Sequence, residues 1–480
     1  MKTTFLTRAV QLATLAAVAA PASVLAGGFS LNEKSASAMG VANAGTAANP
    51  ENATTVSFNP AGMSQLKGTN ISFGAAVVDI NAEAKRGSTS ATNTLGGPVQ
   101  GTTGGNIADP AILPNFFMTH EVNESIDVGF GIHAPYGLAA DYDDNFVGRY
   151  FADKTELTVI GFTPSISINN GKGLSMGLGM NIMYAEGRLT RYQDIRGALF
   201  KQTGDQAVAG QLANAYEAQF GAPYADINGD DIAVTFRVGF LYELSDSTQF
   251  GLTAQTGTDF ELEGDVKISS FPVPSAQSPI GLAPTTLEED ARVPLAIPES
   301  ITVGVRHQLT DSVTLLGGAT YARWSRFQEL DVFSKEGDGG QVSAALGRTG
   351  DDNPITHVTE KWKNNWQFNV GTIWQATPAW AFKAGYAWDE SPVGEFITAR
   401  IPSSDRHWLT LGTQWKDASS GWTVDASVGT LLFTDDPKID EFNYLHTAPT
   451  QKDPKAGASN YQGEYELDAW SAALQISKAF

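Results

Sequence analysis

The chain has 480 residues, 49 of them glycine and none cysteine, and a formal net charge of −21. Charged residues make up only 17%, below the roughly 25% of ordinary soluble proteins. Excess acid argues against a nucleic-acid partner, since a phosphate backbone demands a basic footprint, and the missing cysteine removes thiolate catalysis, disulfides and cysteine-held metals.

Residues 1–26 read as a secretory leader. Lys2 and Arg8 make a basic start, Ala9 to Ala20 a short apolar run, and Val24-Leu25-Ala26 a small-residue cleavage site. Its removal takes two positive charges and leaves −23 in place of −21. No later stretch reaches 18 apolar residues, so no transmembrane helix is expected. Residues 27–68, rich in Ala, Asn, Gly and Ser, contain no strand of membrane length and form either a tail or a plug.

From 69 to 480 the chain is a succession of period-2 segments, the signature of strands. In the cleanest, Leu174, Met176, Leu178, Met180, Ile182 and Tyr184 alternate with Ser175, Gly177, Gly179, Asn181 and Met183. Residues 232–242 repeat the pattern, and both runs match the roughly 9–11 residues of a tilted strand crossing a bilayer. Fourteen candidate strands follow, near 69–80, 114–122, 125–138, 157–169, 174–192, 232–244, 248–268, 300–309, 313–333, 357–375, 379–389, 405–416, 422–433 and 465–480. Short connections alternate with long ones at 81–113, 139–156, 193–231, 269–299, 334–356, 390–404 and 434–464. Even strand number with loops long on one side only predicts an all-β, closed transmembrane antiparallel barrel in a bacterial outer membrane. The last strand ends on Phe480, the terminal aromatic that the barrel-assembly machinery reads, although Lys478 stands where an aromatic is commoner.

Four motifs in order resemble the long-chain fatty acid transporters of the outer membrane, the FadL and TodX type. They are Gly28-Phe29-Ser30-Leu31-Asn32-Glu33 with Ser57-Phe58-Asn59-Pro60-Ala61-Gly62; His133-Ala134-Pro135-Tyr136-Gly137-Leu138-Ala139; Trp324-Ser325-Arg326-Phe327-Gln328; and Trp388-Asp389-Glu390-Ser391-Pro392-Val393 with Asp405-Arg406-His407-Trp408-Leu409. The resemblance implies a monomeric barrel at 69–480, plugged by an N-terminal hatch at 27–68, that passes long-chain fatty acids without energy coupling, metal or cofactor. Substrate would enter between external loops, reach an inner pocket, and leave sideways into membrane lipid where the third strand kinks.

Residue chemistry supplies candidates for each step. Pro135 removes a backbone donor and Gly137 tolerates unusual dihedrals, so Ala134, Pro135, Tyr136 and Gly137 mark a lateral opening; the plainer reading ends the strand at the membrane rim. Asn59, Pro60 and Ala61 form a turn, which the family would use to seat the hatch, and Phe29 would touch the acyl chain. A carboxylate in a low-dielectric lumen wants an arginine, and parity turns Arg191, Arg237 and Arg406 inward, where neutralising lumen carboxylates such as Glu243 is the alternative role. Arg188 has lipid-side parity and would meet lipopolysaccharide phosphate. Asp331 stands where the family suggests a cation, which leaves room for neutral substrates. Phe200, Leu212, Phe220 and Phe271, on loops 193–231 and 269–299, are candidates for an external capture groove.

Several patterns mislead. Gly173-Leu174-Ser175-Met176-Gly177 spells G-x-S-x-G but opens a strand instead of an elbow, so no enzyme is expected. Asp226 to Asp231 resembles a calcium loop whose twelfth position is Arg237 in place of glutamate. Beside fatty acid transport stand uptake of aromatic hydrocarbons or alkanes, a non-specific porin, an outer-membrane lipase, and an adhesin or phage receptor.

Overall fold

In the computed structural model, the structure describes residues 28–350, 352–445 and 455–480; the leader at 1–26 lies outside them. Fourteen antiparallel strands close into one barrel. They are β1 Thr69–Ala84, β2 Ala111–Asn123, β3 Ile126–Asp141, β4 in two pieces Lys154–Phe162 and Ser165–Asn169, β5 Leu174–Tyr192, β6 Tyr224–Ser245, β7 Thr248–Gln255 with Thr258–Pro274, β8 Leu282–Ile297 with Ser300–Thr310, β9 Val313–Ala322, β10 Asn365–Gln375, β11 Trp380–Asp389, β12 Arg406–Asp417, β13 Trp422–Phe433 and β14 Lys455–Ala479. The first and last strands pair in unbroken register from Asn70↔Ala479 to Ala84↔Tyr465. Closure gives every strand two partners, which lipid demands because it offers no hydrogen bonds.

The outer face is the apolar set that alternation selects. Phe73, Leu178, Ile232, Val303, Val370, Leu411 and Leu474 project outward and exposed. Tyr242, Phe250, Trp374, Trp380, Trp415 and Trp422 ring the short-turn end, where amphipathic rings suit a lipid–water boundary.

Three stretches expected as loop or strand differ. β6 begins at Tyr224, and 269–299 is mostly hairpin, with β7 reaching Pro274 and β8 starting at Leu282. The polar outward residues there suggested loop; above the bilayer an outward position faces water, so a strand can carry Asp226, Asn228 and Asp230 outside while Ala225 and Ile227 point in. The calcium-like segment 226–231 is therefore regular strand. The ninth and tenth strands are also shorter than expected. β9 stops at Ala322, and Glu329–Ser334 pairs with Thr356–Thr359 as an outer hairpin that joins β8 at Ala291 and Arg292, while Trp324 and Trp362 are buried.

Residues 30–66 pack against the inner wall. The Lys383 ammonium ties this segment down, donating to Glu51 (2.6 Å), Asp425 (3.1 Å) and the Ser37 carbonyl (3.2 Å). Inward-facing glycines make the room. A Cβ added at Gly177 would strike the Pro60–Ala61 backbone, one at Gly239 the Asn59 carboxamide, one at Gly251 the Ala47 carbonyl, and one at Gly385 the Val41–Ala42 peptide. Overpacking such an interface costs ~1–3 kcal/mol. Gly239→Leu should therefore dislodge residues 57–61 and raise ion conductance in planar bilayers; a folded variant with unchanged conductance contradicts this packing.

Candidate functional site

The wall of the barrel parts at β3. β2 and β3 pair from Asn123↔Ile126 up to Phe116↔Ile132 and no further, although β2 continues beside β1 to Ala111. On the other side, the β3–β4 register jumps from His133↔Gly161 to Tyr136↔Val159, so Ala134 and Pro135 together face Ile160 alone. This is a bulge, which bends its strand. Above it alternation fails: residues 135–140 are all buried. A strand facing lipid would expose every second residue, so the upper half of β3, still paired with β4, is covered on both faces.

The edge thus freed is occupied by the N-terminal segment. Ser30 bridges Tyr136 in antiparallel fashion, the Leu31 amide donates to the Pro135 carbonyl (3.1 Å), and the Gly137 amide donates to the Phe29 carbonyl (2.9 Å). These bonds satisfy backbone groups that buried proteins rarely leave unpaired. Phe29 itself is 2% exposed. Its ring packs on Trp324 (4.5 Å between centroids), Phe327 and Trp362 (both 5.8 Å) and Tyr136 (6.1 Å).

Phe29 also borders an apolar pocket in the upper lumen, lined by Leu138, Leu157, Leu189, Ile227, Leu262 and Leu295 among others. The resemblance implied an inner pocket, but residue reasoning missed the side chains that line it, though a signal existed. On β5 the inward odd positions change from Ser175, Gly177, Gly179 and Asn181 to Met183, Ala185 and Leu189, while the outward even positions change from apolar to Glu186 and Arg188. The two faces exchange polarity near Tyr184. Below that level the lumen is polar; above it the lumen is greasy and the outside wet.

Asn59, Pro60 and Ala61 form the expected turn, with Asn59 Oδ1 accepting from the Ala61 amide (3.1 Å) and Asn59 Nδ2 donating to the Phe240 carbonyl on β6 (3.0 Å). The three inward arginines do not converge. Arg406 pairs with Asp389 through Nε (3.0 Å) and Nη2 (2.7 Å), both groups being buried. Arg191 donates to Thr356 Oγ1 (3.2 Å) under the external loops. Arg237 holds the Ser57 and Phe58 carbonyls and the Gln255 amide oxygen. Arg188, assigned to lipopolysaccharide by parity, instead forms a two-pronged pair with Asp226 (2.9 and 2.7 Å), its cross-strand diagonal neighbour. Asp331 is buried and bonds His357 Nδ1 at 2.6 Å; with Glu329 they are the one group among the described residues whose spacing suits a metal ion. Among the described residues Ser175 hydrogen-bonds one side chain, Ser64 (2.7 Å), and no histidine.

Outside, helices Arg196–Thr203 and Gln206–Phe220 pack on the β7–β8 hairpin tip, where Tyr216 Oη donates to the Ser270 carbonyl (2.8 Å). Leu212 and Phe220 join that packing, Phe200 is exposed, and Phe271 packs against the main core. The four proposed groove residues are thus spread over three environments.

Among the long connections, Glu360 accepts from Trp362 Nε1 (2.9 Å) and Glu441 accepts from the Ala399 amide (2.7 Å). Burial pushes Glu360 up to about 8 and Glu441 up to about 7, with Arg400 opposing in both. An acid raised in the folded state stabilises it when protonated, so this stabilisation is full at low pH and is lost as pH climbs to the folded value. Hydrogen exchange of residues 355–362 should speed up between about pH 5 and pH 8 beyond its intrinsic rate, and Glu360→Gln should flatten most of that rise. An unchanged slope in the variant contradicts the assignment to Glu360.

Comparison with known proteins places this geometry. Residues 16–480 match the family model described as outer membrane protein transport protein (OMPP1/FadL/TodX). The chain is 27% identical over 459 residues to a long-chain fatty acid transport protein of Escherichia coli O6:H1, covering 94% of each. Its fold is similar to the crystal structure of a Pseudomonas aeruginosa FadL homologue (TM-score 0.76, 20% identity, 94% of this chain and 100% of that one). It is also similar to that of the Pseudomonas putida toluene transporter TodX (TM-score 0.63, 17% identity, 96% and 99%).

Proposed function

Since the chain belongs to the outer membrane protein transport family (OMPP1/FadL/TodX) and is a barrel of the outer membrane, we propose that it takes up long-chain fatty acids and releases them sideways into the membrane. The observation that carries this reading is the parted wall at β3, where six successive buried residues stand inside a gap that β2 leaves open. That the unpaired half of β2 and β3 lies towards the long-loop end supports an exit into the outer leaflet. An apolar chain moving from the upper pocket to lipid would never enter water, whereas an axial route would lead it through the polar lower lumen. In this reading residues 28–66 are a hatch that blocks that axial route, and Phe29–Leu31 are its gate.

A second reading has one observation in its favour. The apolar pocket offers no uncommitted cation, since its one arginine, Arg188, is paired with Asp226. Such a pocket also suits a neutral aromatic hydrocarbon or alkane.

The test is uptake of labelled oleate by cells lacking their own transporter. Wild type should restore uptake, and Pro135→Ala with Gly137→Val, which favours regular pairing of β3, should abolish it at equal barrel folding. Absence of oleate uptake by wild type would reject fatty acids; uptake unaffected by the double substitution would reject the lateral route.

A further inference from the structure

Ser30, Leu31 and Asn32, next in the chain after Phe29, border a second lumen cavity of about 160 Å³. Pro135 and Tyr136 border it too, so it opens onto the bulge of β3. Its chemistry is unlike that of the apolar pocket. No Asp or Glu lines it, while Lys34, Arg237 and His133 all do. The Arg237 guanidinium meets only carbonyl-type oxygens. Lys34 makes no hydrogen bond or ion pair among the described residues. His133 is 5% exposed and its Nδ1 has no partner. The nearest carboxylate along the chain, the buried Glu33, does not line the cavity; its charge acts on Arg406 and, in part, on Lys34.

Two enclosed cations that no carboxylate contacts are costly, and a buried polar atom without a partner adds to that cost. An arriving anion removes both penalties. The position of the cavity selects the kind of anion: it adjoins the gap through which an amphiphile would pass, and an acyl chain that has entered lipid leaves its head group last. The geometry points to an anion site at Lys34, Arg237 and His133 that holds the carboxylate head group of a monocarboxylic acid at the inner side of the β3 bulge. Burial, with Arg237 beside it, draws the Lys34 ammonium down to about 7, and a bound carboxylate would reverse that. This inference rests on the transport reading above and narrows it to ionised acids over neutral hydrocarbons.

The test uses the full barrel in a neutral detergent and compares octanoate with octanol by titration calorimetry. Lys34 holds no other group, so Lys34→Met should leave the fold intact. It should weaken octanoate about tenfold, the loss of one charge-assisted contact, and leave octanol within about twofold; Lys34→Arg should keep the preference. Equal losses for both ligands, an unchanged octanoate affinity, or displacement of octanoate by equimolar chloride would overturn the site. Oleate uptake by wild type separates the two claims. Normal uptake with a charge-blind Lys34→Met rejects the anion site alone, whereas discrimination without uptake rejects the transport reading alone.

Discussion

The antiparallel contact of Phe29, Ser30 and Leu31 with the inner edge of β3 is the interaction on which the rest of the architecture turns. A strand that leaves a barrel wall must satisfy its backbone elsewhere, because lipid supplies no donors or acceptors. The Pro135 carbonyl and the Gly137 amide find those partners in the N-terminal segment. The break in β2–β3 pairing and the anchoring of residues 29–31 are therefore one feature. Remove the segment, and β3 either loses its hydrogen bonds or returns to β2 and closes the gap.

The other elements hold this contact in place. Glycines at 177, 239, 251 and 385 let the backbone of the N-terminal segment lie directly on the wall, and Lys383 fixes it between Glu51 and Asp425. A buried ion triad of this kind is strongly destabilised when one member is lost, since the others are left uncompensated. From above, Trp324, Phe327 and Trp362 press on Phe29. The contact is held from the wall side by polar bonds and from the loop side by aromatic packing, so residues 29–31 could leave β3 only by giving up both.

Much of this was legible in the alternation. The fourteen strands, their order and the inward parity of Arg191, Arg237 and Arg406 follow from period-2 reasoning, because the β5–β6 register runs unbroken from Leu174↔Tyr242 to Tyr192↔Tyr224. Pro135 and Gly137 flagged the strand whose pairing is interrupted. What the arginines touch was not legible: Asp389, Thr356 and the Ser57 carbonyl come from distant parts of the chain. The extent of β6, β7 and β8 was missed because a polar outward residue means loop only below the water line. Lys34 escaped notice since a lone lysine in a polar stretch is ordinarily solvated, and only the closure of the barrel removes water from it.

The chain lacks cysteine, so a single engineered pair can test the gate directly. Ser30 and Tyr136 face each other between two flanking backbone bonds, a non-hydrogen-bonded pair with Cα atoms about 4.5 Å apart, within disulfide reach. Ser30→Cys with Tyr136→Cys should take up oleate when reduced and stop when oxidised. Uptake at the wild-type rate with the bond formed would contradict the account, because residues 29–31 would then have no need to leave β3.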